Sequence, residues 1–316
     1  MGALLQAKRR SIRTVDAAHR PCLTKWWWEA KTKTAIIESA AAIGLAMLPP
    51  KRFHPFDLDT FGLGKLIVDA ARKGATCCLI GIGGSATNDA GFGLARALGW
   101  KFVDGTGRLI ENWTELTNLR HIRAPRKYIW FKEFLVAVDV QNPLLGKRGA
   151  TRVYGPQKGI RPNEFEEAEH CLQRLVSVYE KDFGKDFAKM AGAGAAGGLG
   201  FGLAAFAGGK PVPGFELFAQ RAKLDHRLSR ADLVITGEGC IDCSTLMGKG
   251  VGEIAKNCRV LKIPCIALAG IAKTDARTSR SFDQVHTLLD IAQNRQAISK
   301  SAFWLERLAA QVAMEL

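Results

Sequence analysis

No Gly-x-x-x-x-Gly-Lys-Ser/Thr phrase occurs in this 316-residue chain, and Gly248-Lys249 lacks the upstream glycine, so a Walker-type phosphate loop is excluded. Long Leu- or Ile-rich runs are also missing. The one extended charge-free stretch, Met190 to Gly209, is mostly Gly and Ala and is too weakly apolar to read as a membrane span. No secretory signal precedes the eight cysteines, which points to a reduced cytoplasmic setting rather than a disulfide framework. Cys240 and Cys243 form a Cys-x-x-Cys pair, but no second close pair accompanies them, and Cys258 and Cys265 are too widely spaced for a zinc site. Acid is scarce at the start: residues 1–14 contain none, as in transit peptides, although an atypical start explains the same composition. Met1-Gly-Ala-Leu-Leu-Gln also lacks the Ser or Thr of a myristoylation signal.

What is present describes a globular protein. Hydrophobic residues make up 47% and charged residues 24%, and the length suits one large domain or two ordinary ones. Lys and Arg total 45 against 30 Asp and Glu, a formal charge of +15. A field of that sign attracts anionic substrates or nucleic acid. The basic residues are scattered rather than clustered as in a nucleic-acid patch, and the densest group is Lys8, Arg9, Arg10, Arg13 and Arg20.

Apolar runs alternate with helical patterns. Thr34–Glu38, Thr76–Ile82, Phe134–Val138, Ala231–Thr236 and Cys265–Leu268 read as strands. Gly64–Lys73, Gly91–Leu98, Glu164–Tyr179, Gly252–Val260 and Ser299–Met314 read as helices. This order predicts an α/β fold with a parallel sheet and helices on both faces. Ligands of such sheets bind beyond the carboxyl ends of the strands. Gly81–Asp89, Asp139–Asn142, Gly237–Asp242 and Gly270 all follow strands in this reading.

The stretch Gly81-Ile-Gly-Gly-Ser-Ala-Thr-Asn-Asp89 has the chemistry of a phosphate loop. Gly83 and Gly84 allow close approach to backbone N–H groups, and Ser85, Thr87 and Asn88 add donors. A following helix would turn its positive end to the anion. A tight strand–helix turn with capping Ser and Asn accounts for the same residues. Gly192, Gly194 and Gly197 fit the dinucleotide pattern Gly-x-Gly-x-x-Gly, but no strand precedes them, so close packing through small residues is the better reading. Asp139, Glu238 and Asp242 follow strands, where carboxylates suit metal coordination, base catalysis or turn capping.

The phrases Gly81–Asp89, Asp139-Val-Gln-Asn-Pro-Leu144, Tyr154-Gly-Pro-Gln-Lys-Gly159, Gly192-Ala-Gly-Ala-Ala-Gly-Gly-Leu199 and Ala231-Asp-Leu-Val-Ile-Thr-Gly-Glu-Gly239 with Lys249 occur in this order. Together with Thr34–Glu38 and Ile266–Gly270, from about Thr14 to the C-terminus, they make the chain resemble the bacterial-type glycerate kinases. The resemblance implies a two-domain α/β architecture, one domain Rossmann-like and built from separated stretches, with the site in the cleft. It implies phosphorylation of glycerate to 2-phosphoglycerate, with ATP carrying Mg²⁺, a cytoplasmic location, and no nucleic-acid or membrane partner; a homo-oligomer is open. The domains expected are 1–13, unmatched; 14–61 with 91–227, a second α/β domain; and 62–90 with 228–316, Rossmann-like. The family's opening Asp-Ser-Phe-Lys-Gly-Ser-like and Asp-Gly-Gly-Glu-Gly phrases have no counterpart here, so the Rossmann-like domain is expected without its N-terminal strands, and a catalytically impaired homologue is the alternative reading. Cys240 stands where the family has Arg and Ser244 where it has Gln. The site expected from the resemblance places Asp89, Asp139, Asp242 and Lys249 in catalysis, with Asp139 as the Mg²⁺ candidate. Gly83, Gly84, Ser85, Thr87, Asn88, Gly237, Glu238 and Gly239 would hold phosphate or nucleotide.

Overall fold

The computed structural model describes residues 1–128, 131–246, 250–273 and 280–316. The chain divides into two compact units, Met1–Gly214 and Phe215–Leu316.

In the first unit, β1 (Lys8–Val15), β2 (Pro21–Glu29), β3 (Thr34–Glu38) and β4 (Cys77–Gly81) lie side by side. β5 (Lys101–Asp104) and β6 (Leu119–Arg123) form a separate antiparallel pair. β7 (Glu133–Ala137) and β8 (Lys210–Val212) complete a six-stranded sheet of order β1-β2-β3-β4-β7-β8. From β3 to β8 the pairing is parallel, as the sequence predicts; β1 and β2 extend it antiparallel. β4 is central, and four of its five residues are buried, which explains its unbroken apolar run. β1 is an edge strand, and the N-terminal cluster of Lys8, Arg9, Arg10 and Arg13 is its exposed decoration. Charge on an edge discourages pairing with other chains.

The helix Phe61–Arg72 buries Leu63, Leu66, Ile67 and Ala70 at helical spacing and stops before Gly74, whose φ is +90°. These side chains join Trp26, Ile37, Ile80, Phe134 and Val136 in one core. The Trp26 indole N–H donates to Asp69 Oδ2 at 2.9 Å, so its one polar atom is satisfied. A second core gathers Phe92, Phe102, Trp113, Leu172, Leu175, Tyr179, Phe201 and Phe206 around the helix Phe165–Phe183. The helix Ala195–Ala207 gives Phe201 and Phe206 to this core and Leu199 and Leu203 to the first. Burial on two faces accounts for its all-round apolarity. No described helix is long and apolar enough to cross a membrane.

The second unit carries a parallel sheet of β9 (Val234–Ile241), β10 (Cys265–Ala272) and β11 (Gln284–Thr287), with β10 in the middle. The expected domain division needs correction. Residues 62–90 supply β4, whose neighbours on both sides, β3 and β7, belong to the first unit, so this stretch folds there and not with 228–316. Residues 1–13 are likewise integral, since most of β1 lies among them.

Leu66 is fully buried in the first core. Leu66→Ala should lower the unfolding free energy by about 2–5 kcal/mol in a denaturant titration. A loss below about 1 kcal/mol would contradict the packing described.

Candidate functional site

The loop after β4 is fastened along its length. Ser39 N–H donates to Gly81 O at 2.9 Å, Leu45 N–H to Gly84 O at 2.9 Å, and Ala86 N–H to Ile43 O at 2.9 Å. Gly83 and Gly84 stay exposed between these bonds. Gly84 adopts φ +76°, and a Cβ on Gly83 would meet nothing within 4 Å. The backbone there is held yet open to an approaching group.

Beyond Gly84 the loop dives inward. Ser85, Thr87, Asn88 and Asp89 are all buried. Ser85 Oγ donates to Ala196 O at 2.9 Å and accepts from Lys158 Nζ at 3.2 Å. Lys158 Nζ also donates to Thr87 O at 2.6 Å. Asn88 Nδ2 donates to Thr151 Oγ1 at 3.0 Å. Thr87 Oγ1 and Asn88 Oδ1 are buried without a hydrogen-bond partner among the described residues.

Lys158 is the residue that local sequence reasoning missed. It ends the helix Ala150–Lys158, followed by Gly159 at φ +107°. A lysine in the last turn of a helix ordinarily compensates the helix dipole in solvent, so local pattern gives no sign of burial. Its only signal was its place inside the Tyr154–Gly159 phrase. Burial disfavours the ammonium and pulls its pKa down to about 7, while Asp89 opposes the fall.

Space for Lys158 is made by an unusual backbone. Ala196, Gly197 and Gly198 are three consecutive left-handed residues, with φ of 57°, 72° and 86°. A Cβ on Gly197 would lie 1.9 Å from Thr87 O and 2.7 Å from Lys158 Nζ. Only glycine fits there. Gly192 and Gly194 similarly sit against Val138 and Pro143 O, at 2.7 and 2.1 Å from an added Cβ. The Gly-x-Gly-x-x-Gly match is therefore a close-packing element.

Asp89 is a structural acid in this arrangement. Its Oδ2 accepts from Thr60 N–H at 2.9 Å, Thr60 Oγ1 at 2.7 Å and Gly93 N–H at 2.9 Å. It thus caps the short helix Phe92–Ala97, whose amide end is turned to Asp89 and not to an incoming anion. Burial first, and then the nearby Asp59, raise its pKa to about 6. Asp89, expected in catalysis, and Thr87 and Asn88, expected at phosphate, are thus buried in this structure, where the Thr87 carbonyl accepts from Lys158 and the Asp89 carboxylate lies within its field.

A cavity of about 450 Å³ joins what remains exposed, lined by Gly83, Gly84, Ser85, Asp139, Tyr154 and Lys158 among others. Asp139 follows β7, and its Oδ1 accepts from Gly214 N–H at 2.8 Å. Tyr154 Oη donates to Asn142 Oδ1 at 2.7 Å. One carboxylate, one buried cation and exposed backbone thus face a single space of small-molecule size.

The other expected residues lie in the second unit. The Gly237-Glu238-Gly239 phrase is not a loop after a strand, as expected, but lies within β9, where Gly237 and Glu238 pair with Leu268 and Ala269 of β10. The Thr245 hydroxyl donates to Glu238 Oε1 and accepts from Asp242 N–H at 3.1 Å. Lys249 lies outside the described residues. Among the described residues no group of three or more His, Cys, Asp or Glu side chains is placed to hold a metal ion.

The first unit is a mixed α/β fold with a cavity beside an exposed glycine pair. The profile of the glycerate kinase family matches residues 1–316. The chain is 38% identical to a glycerate kinase of Halalkalibacterium halodurans over 269 residues, 84% of this chain and 71% of that one. It is 39% identical to a glycerate 2-kinase of Escherichia coli, over 79% of this chain and 66% of that one. A crystal structure from Salmonella typhimurium LT2, assigned as a glycerate kinase 2, superposes with a TM-score of 0.76 at 34% identity, over 91% of this chain and 76% of that one. The chain belongs to the glycerate kinase family, and the match includes the first 13 residues, which the sequence phrases had left unplaced.

The buried lysine has a pH signature. Its folded pKa of about 7 lies below the ordinary 10.5, so between these values the unfolded chain binds more protons and stability rises with pH. Denaturant titrations from pH 7 to 10 should show a smaller rise in Lys158→Met than in the wild type. Equal slopes would mean that Lys158 titrates as an exposed lysine.

Proposed function

We propose that the chain transfers the γ-phosphoryl group of Mg²⁺-bearing ATP to the 2-hydroxyl of glycerate, giving 2-phosphoglycerate and ADP. The observation that carries this reading is the convergence of Gly83, Gly84, Ser85, Asp139 and Lys158 on one cavity. Phosphoryl transfer asks for donors and a cation at the phosphate oxygens, and a group to take the hydroxyl proton. The exposed backbone of Gly83 and Gly84 and the Lys158 ammonium serve an anion, either the transferred phosphoryl group or the glycerate carboxylate. Asp139 is the carboxylate of the cavity and takes the 2-hydroxyl proton. The family membership supports glycerate as acceptor, and both substrates being anionic suits the +15 charge. Mg²⁺ arrives with the nucleotide in this reading. In the second unit, Gly237, Glu238, Gly239 and Asp242 are assigned to the nucleotide, with Lys249.

Purified protein should release ADP saturably when given glycerate, ATP and Mg²⁺. Asp139→Asn should lower kcat by about 10²- to 10⁴-fold, the usual worth of a general base, with an unchanged Mg²⁺ requirement. Full turnover in Asp139→Asn would remove Asp139 from the mechanism. A loss restored by excess Mg²⁺ would make it a metal ligand instead.

A further inference from the structure

A second cavity of the first unit, also about 450 Å³, shares no residue with the first. It lies between the β5–β6 pair and the helix Phe165–Phe183. Arg120 comes from β6, while Arg174, Ser177 and Lys181 come from the helix. The spacing of the helical three, three and then four residues apart, puts them on one face. His121 of β6 and Asp104 at the end of β5 complete the rim.

The charges do not cancel within the protein. Among the described residues, Asp104 is the only carboxylate lining the cavity. Its Oδ1 accepts from Thr106 N–H at 2.8 Å, Thr106 Oγ1 at 2.8 Å and Arg108 N–H at 3.0 Å, so it is committed to its own turn. Arg174 is anchored by Nε donating to Leu119 O at 2.7 Å. That bond fixes the plane of the guanidinium and leaves its terminal nitrogens without an acceptor among the described residues. Asp182 stands 3.9 Å from His121 Nδ1, but its Oδ2 is taken by Ile122 N–H at 2.8 Å. Three permanent cations therefore share a small concavity with one turn-bound acid. Holding like charges together costs energy that a multiply charged anion recovers, and an anchored guanidinium suits paired phosphoryl oxygens. The volume falls in the range of small-molecule sites.

We propose that this groove binds a small polyanion bearing clustered phosphoryl oxygens, a pyrophosphate or a phosphate ester, at a site separate from the substrate cavity.

The test uses the full chain carrying Gly83→Asp, which places a carboxylate at the substrate cavity and repels anions there. Calorimetric titrations with pyrophosphate, a three-carbon phosphate monoester and a dicarboxylate are run at about 0.15 M ionic strength, where the screening length of about 8 Å suppresses the general field. Pyrophosphate or the monoester should bind saturably and more tightly than the dicarboxylate. The groove's share is the binding that the groove substitutions below remove, and any binding at the second unit's nucleotide residues is the share they leave. The order within the groove's share identifies which phosphoryl chemistry it takes. Adding Arg120→Glu and Lys181→Glu should weaken binding at least tenfold. The neutral pair Arg120→Gln and Lys181→Gln, checked by circular dichroism, should weaken it by less but in the same direction. Lys147→Glu with Arg148→Glu, an exposed pair outside the groove, should leave it unchanged. Three results would overturn the proposal: no saturation by either phosphoryl compound, an equal loss in the Lys147/Arg148 control, or no loss in the folded Gln pair.

Discussion

The buried ammonium of Lys158, donating to Thr87 O at 2.6 Å and Ser85 Oγ at 3.2 Å, is the constraint around which the first unit's cavity is arranged. A cation inside a protein is costly unless its hydrogen bonds and a counter-charge compensate. Here the loop after β4 supplies the acceptors. Asp89 contributes the countering field, itself held by Thr60 and the amide of Gly93. The polar residues of the loop thus divide their labour by depth. Gly83 and Gly84 stay at the surface, while Thr87, Asn88 and Asp89 build the seat beneath.

That seat explains backbone that would otherwise be unfavourable. Ala196, a non-glycine residue, is held at φ 57° beside two left-handed glycines. Such a conformation persists only where its surroundings fix it. The carbonyls of Ala196 and Gly197 accept from Ser85 Oγ and from Ala90 N–H at 3.1 Å, so the left-handed turn is tied directly to the loop. Any side chain at Gly197 would take the position of the Lys158 ammonium or of Thr87 O. The loop, the lysine helix and the glycine turn therefore form one interlocked unit although they are far apart in sequence.

Much of this architecture was readable from periodicity, because buried parallel strands such as Cys77–Gly81 are continuous apolar runs and Phe165–Phe183 keeps a clean apolar stripe. The β1–β2 extension was not, since an edge hairpin rich in Lys, Arg and Trp lacks the alternation of a half-buried strand. The Gly237-Glu238-Gly239 phrase read as a loop because glycine weakens a strand pattern, yet β10 pairs through it; a Cβ at Gly237 would meet Leu268 O at 2.2 Å. Among the residues lining the first unit's cavity, Gly83, Gly84, Ser85 and Asp139 are legible from residue type and position after a strand. The inward turn of Thr87, Asn88 and Asp89 was not, because a hydroxyl or an amide that can donate to a phosphate can equally well be folded into a buried loop. Lys158 was invisible for the complementary reason: its burial depends on Gly197, 39 positions later in the chain.

If Lys158 is the cation that receives the substrate anion, its protonation governs capture of substrate by the free protein. The most direct measurement is the pH profile of kcat/KM for glycerate in the wild type and in Lys158→Met, since that ratio reports groups of the free enzyme. With the ammonium pKa lowered to about 7, wild-type kcat/KM should fall as pH rises through neutrality, and Lys158→Met should be weak and flat across that range. A Lys158→Met protein with wild-type kcat/KM and the same pH profile would contradict the account.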